Sequence, residues 1–135
     1  MANGRTRVGV TILRAAVASV FVIHGITRLL GSVAGFAGFL SSSGLPAGLA
    51  IAWTLTIVEI VGGLVFAAGL AVRPLVLWFG VEIAMGILMV HGKEGWFVVG
   101  AGRNGSEYSV LILACLLVVA LTDSTAYRLR SESHA

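Results

Sequence analysis

Residues 8–30, VGVTILRAAVASVFVIHGITRLL, form an apolar run of membrane-spanning length that nonetheless carries Arg14, His24 and Arg28. An ionisable side chain inside hydrocarbon is costly unless it faces the interior of a helix bundle and meets a partner there, so each of the three marks a candidate site. They share a face. At about 100° per residue, Arg14, Phe21 and Arg28 fall within roughly 40° of one another, and His24 sits about one turn below Arg28. Such a stripe calls for counter-charges elsewhere, and three are available in the other apolar segments: Glu59, Glu82 and Glu107.

Composition agrees with a membrane setting. The 135 residues are 58% hydrophobic and 11% charged, with a mean hydropathy of +1.01, far from the roughly 25% charge of soluble domains. The chain reads as an all-α integral membrane protein, with four transmembrane helices in one compact bundle over residues 8–125. Flanking it are an N-terminus at 1–7 and a tail at 126–135. The net charge of +3 lies in termini and loops, so it speaks to topology and not to nucleic-acid binding. Arg5 and Arg7 ahead of an apolar stretch imitate a secretion signal. Arg14 interrupts that stretch and the run continues to Leu30, so the first span is expected to be retained.

The remaining spans follow from composition shifts. Gly31 to Pro46 is Gly- and Ser-rich, too short in its apolar part to cross, and is expected to lie at the interface or to re-enter the bundle. Spans are expected at about 47–71, 74–90 and 107–123, with Pro74 suited to a first helical turn. Lys93 to Ser106 forms a polar loop in which Trp96 and Phe97 are placed to anchor at the headgroups. Arginine distribution puts both termini and the Arg73 turn in the cytoplasm: Arg5, Arg7, Arg73, Arg128 and Arg130 lie inside, against Lys93 and Arg103 outside. Counting at about 1.5 Å per residue then places Glu59 and Glu82 near the midplane, with Arg14 a little below. His24, Arg28, His91, Arg103 and Glu107 fall in the outer half.

Several motifs together resemble the DoxX family of small four-helix bacterial membrane proteins. They are His24-Gly25-x-x-Arg28, Gly44-Leu45-Pro46, Glu59 followed by Gly62-Gly63, Gly69-Leu70-x-x-Arg73, His91-x-x-x-Gly95-Trp96-Phe97, and Glu107 opening the last span. The similarity runs from about residue 10 to 125. Arg28 stands where lysine is common in that family, and no glycine-rich C-terminal signature is evident. The resemblance implies a multi-pass plasma-membrane bundle linked with sulfur, quinone or oxidative-stress metabolism.

The expected ligand-binding set is His24, Arg28, Glu59, Glu82, His91 and Glu107. Glu59 and Glu82 suit either a proton-handling centre or a neutralising pair with Arg14 or Arg28 that fixes helix register. His24 and His91 read first as hydrogen-bonded bundle histidines, and their outer-half placement also suits a quinone carbonyl. Haem is disfavoured because their spacing is no metal motif and no Cys–His cluster accompanies them. Arg103 and Glu107 read as closing the loop onto the bundle, the carboxylate at a helix N-terminus. No metal site is expected. Cys115, the only cysteine, excludes a dithiol centre, and any redox cofactor must therefore be bound. Three functions stay open: a quinone- or lipid-head-group-binding accessory subunit of a membrane redox system, a structural or assembly partner of another membrane or peripheral protein, and a small-solute or proton conduit. Small residues such as Gly62, Gly63, Gly80, Ala84 and Gly86 favour close helix contact and admit a homo-oligomer.

Overall fold

A computed structural model describes residues 4–123; the expected tail at 126–135, with Arg128, Arg130 and His134, lies outside the described residues, as do residues 1–3. Among the described residues the protein is all-helical, with α1 at Gly4–Leu30, α2 at Val33–Ser42, α3 at Gly48–Ala67, α4 at Val72–Met89 and α5 at Glu107–Thr122. A π turn, Val58–Gly62, interrupts α3, and a 3₁₀ turn, His91–Glu94, follows α4. Of the four spans expected, α1, α3 and α4 are long and apolar enough to cross a membrane. The last, α5, has 16 residues, about 24 Å of rise, short of the roughly 30 Å of a bilayer core. Large apolar side chains point outward along these helices, Leu77 at 70% exposure, Leu88 at 69% and Leu121 at 77%. Water would penalise that surface and lipid accepts it.

The chain divides into two compact units, one of them Arg14–Leu70 and the other made of the residues on either side of it. Within Arg14–Leu70, close approaches define one antiparallel register. Gly69 lies against Arg14, Gly63 against Ala18 and Val22, Gly25 against Thr56, Glu59 and Ile60, and Gly48 against Ala37 and Ser41. The residue numbers of these partners sum to nearly the same value along the whole strip. Hence α2 carries on the packing of α1 along α3 after a break at Gly31-Ser32, where Ser32 takes an extended φ of −154° and its hydroxyl accepts from Gly35 N at 2.7 Å. Segment 31–46, expected as an interfacial or re-entrant stretch, is in the structure a helix packed on α3.

Both turns of this unit end in the same closure. Gly44 N donates to Ser41 O and Leu45 N to Leu40 O; Gly69 N donates to Phe66 O and Leu70 N to Val65 O. These are Schellman bonds, which need a left-handed residue after the helix. Gly44 and Gly69 supply it, with φ of +88° and +81°. The repeated Gly-Leu pair is thus a helix stop.

In the other unit α4 packs beside α5. Ser109, Leu116 and Val119 are buried along one face of α5, and Val72 and Phe79 along one face of α4. Their spacings of three and seven are those of a helical stripe. The loop between the two helices folds back on itself: Gly105 N donates to Phe97 O, Ser106 N to Gly95 O and Glu107 N to Trp96 O, all at 3.0–3.1 Å.

Candidate functional site

Arg28 sits two residues before the end of α1 at Leu30, and Glu59 sits in the π turn of α3. Their side chains meet end-on. Arg28 Nη1 donates to Glu59 Oε2 at 2.7 Å and Nη2 to Oε1 at 3.0 Å, with the two side chains 14% and 4% exposed. A two-pronged guanidinium–carboxylate contact of this kind is short, directional and net neutral, which lets both groups leave water together.

Three neighbours complete the pair. Arg28 Nη1 also reaches the hydroxyl of Thr56 at 3.5 Å, and that hydroxyl donates to Ala52 O at 2.7 Å. Above the guanidinium lies the Phe36 ring of α2, its centroid 4.2 Å from Cζ, an arrangement in which the ring's negative face meets the cation. Below it, Gly25 brings the α1 backbone against Thr56, Glu59 and Ile60; a Cβ there would lie 2.7 Å from Ile60 Cγ1. The π turn widens the α3 backbone at the level of that approach, a feature that recurs where helices carry functional groups.

The sequence placed Arg28 in the outer half and Glu59 at the midplane, and their direct contact corrects that partition. Depth counting took α1 to end the crossing at Leu30. Because α2 continues the packing register, Arg28 falls opposite the centre of α3 and not opposite its start. Of the two arginines considered as partners for Glu59, the structure uses Arg28. Arg14 instead turns its Nε to Ala67 O, 3.3 Å away, at the C-terminal end of α3, where a cation meets the negative end of the helix dipole.

His24 lies one turn before Arg28 and is exposed. Its Nδ1 is 3.0 Å from Val20 O on its own helix. Ile23, His24, Thr27 and Arg28 line an open groove of about 400 Å³. The site residues from the rest of the chain behave differently. His91 Nδ1 is 2.8 Å from Asn104 O, and Glu107 Oε1 accepts from Val98 N at 2.9 Å. Both therefore tie down the 91–106 loop, His91 from its start and Glu107 from the first turn of α5. Glu82 is half-buried on α4, in the unit that does not contain the Arg28–Glu59 contact.

Sequence reasoning missed Thr56, Phe36 and Gly25 as parts of the site. Thr56 and Gly25 had a readable signal, since Thr56 precedes Glu59 by three residues on one helical face and Gly25 precedes Arg28 by three on the other. Phe36 had none, because the segment that carries it was left open between lying at the interface and re-entering the bundle.

Comparisons with known proteins bear on the same segment. The DoxX family model matches residues 9–101. Over 122 residues, 90% of this chain and 84% of its own length, a protein of Bacillus subtilis (strain 168) named "Putative oxidoreductase CatD" is 27% identical. No solved structure matches.

Proposed function

The chain belongs to the DoxX family, and from that premise we propose that it serves as an accessory subunit of a membrane redox system, binding the head group of a quinone or lipid at the α1 groove. The observation that carries this reading is the groove itself, a half-buried guanidinium neutralised by Glu59 beside the imidazole of His24 and the hydroxyl of Thr27. Polar donors and acceptors of that kind suit a ring oxygen, and exposed Ile23 offers an apolar contact for the body of the ligand. When bound, a quinone would supply the two-electron chemistry; the chain's own residues hold and orient it. Glu59 acts through Arg28, fixing the guanidinium at the groove's edge. The relative's name, an oxidoreductase, supports the redox context.

In this reading the protein is a multi-pass plasma-membrane protein with both termini cytoplasmic, supported by the arginine distribution, and it works with another membrane or peripheral protein. Tag-accessibility mapping tests the orientation: a residue after Asp123 labelled from the outer face overturns it.

The binding test uses the purified chain in lipid nanodiscs, titrated with a short-tailed benzoquinone and, under reducing conditions, with its hydroquinone, while tryptophan fluorescence is followed. Saturable quenching is expected for wild type and for His91→Ala, with binding of the hydroquinone weakened in His24→Ala. Equal, negligible quenching in all three removes the ligand reading and leaves a structural or assembly partner as the function. The loop-tying bonds of His91 and Glu107 favour that second reading for their own end of the chain.

A further inference from the structure

A backbone carbonyl only accepts hydrogen bonds, so the 3.0 Å contact between His24 Nδ1 and Val20 O requires the ring hydrogen to be on Nδ1. In the neutral ring Nε2 then keeps a bare lone pair. The imidazole that lines the groove thus presents an acceptor, not a donor. An oxidised quinone offers only carbonyl oxygens, which are acceptors too, and two acceptors do not pair. A reduced ring, or any head group carrying O–H, supplies the missing hydrogen.

Resting on the groove reading above, we infer that His24 makes the site selective for a hydroxyl-bearing head group, a hydroquinone in preference to the quinone, by accepting its O–H at Nε2. Val20 is then a positioning residue through its carbonyl, and Thr27, whose hydroxyl both donates and accepts, tolerates either form. A lipid such as phosphatidylglycerol carries the same chemistry in its glycerol hydroxyls, so the two sources need separate arms in the experiment.

The test is ring-¹⁵N histidine spectroscopy of the full chain in phosphatidylcholine nanodiscs at about pH 8, above the ordinary range of imidazole titration, with His24 assigned by the signal lost in His24→Gln. The expected resting ring carries hydrogen on Nδ1 and none on Nε2. Adding a short-tailed benzohydroquinone under reducing conditions is expected to move the Nε2 resonance saturably, while the oxidised analogue binds about threefold to tenfold more weakly, the range for one neutral hydrogen bond. That preference should vanish in His24→Phe and return in part in His24→Gln, whose amide oxygen can accept. The same Nε2 shift produced by phosphatidylglycerol alone supports the hydroxyl rule and assigns it to lipid. A resting ring protonated on Nε2, or equal affinity for both redox forms, overturns the inference while leaving the groove as a ligand site. Binding of none of the three probes overturns the groove reading and this inference together.

Discussion

Arg28 and Glu59 are 31 residues apart in the chain and share two hydrogen bonds, 2.7 and 3.0 Å long, with the carboxylate almost fully buried. The pair joins α1 to the π turn of α3, and Thr56, Phe36 and Gly25 are all shaped to it. In lipid neither member has water to fall back on. Each is tolerable because the other is present, and the first-span stripe of ionisable residues is explained at that position.

Gly25 is predicted to be the glycine of the Arg28–Glu59 site that cannot take a methyl group freely. A Cβ at this position would sit 2.7 Å from Ile60 Cγ1 and 3.1 Å from the Thr56 carbonyl, so Gly25→Ala should push α1 away from α3 and cost about 1–3 kcal/mol. Gly38→Ala is the control, since nothing lies within 4 Å of its added methyl. That change should be neutral or stabilise α2 by up to about 1 kcal/mol, the usual helix-interior gain. Equilibrium unfolding in mixed micelles reads both; equal effects would mean that the close approach is not real.

The two helix stops should respond unequally. Gly44→Ala and Gly69→Ala both force an L-residue into left-handed backbone, at about 1–2 kcal/mol each. Only at Gly69 does the new methyl also meet the Arg14 guanidinium, whose Nη2 lies 2.9 Å away. Gly69→Ala is therefore expected to be the more destabilising, and Arg14→Ala should reduce the difference between the two when combined with it.

Much of this was legible in the residues. The all-helical membrane class followed from hydropathy, the turn before Pro46 and the bounds of α4 to within two residues followed from composition, and an Arg–Glu pair was one of the readings the charges allowed. By contrast α3, expected to run to 71, stops at Ala67 because Gly69 closes it. What could not be read was which arginine meets Glu59. That choice depends on α2, because a ten-residue helix after a Gly-Ser break shifts the level of Arg28 relative to α3, and periodicity is silent about whether a short apolar segment continues a strip or leaves it. That Glu107 closes the loop was legible from its place at a helix start, but the particular partners of His91 and Glu107 were not. Their partners are backbone groups, Asn104 O and Val98 N, which sequence does not distinguish.

Glu107 should matter to the loop and not to ligand binding. Replacing it by alanine removes the acceptor for Val98 N, and the protection of that amide against hydrogen exchange is expected to fall by about threefold to tenfold, the equivalent of one hydrogen bond. Glu107→Gln keeps an acceptor and should retain most of the protection. Unchanged exchange at Val98 in Glu107→Ala would show that the loop is held without it.

The most direct test is a double-mutant cycle on Arg28 and Glu59 in lipid bicelles, using Arg28→Met and Glu59→Gln. Each single change leaves a buried group without its counterpart and should destabilise the protein by about 3–5 kcal/mol, whereas the double variant, which buries no charge, should lose much less than the sum. Circular dichroism followed through a denaturant titration measures all four corners. A coupling of several kcal/mol is the result predicted; strictly additive losses would contradict the pairing on which the site is built.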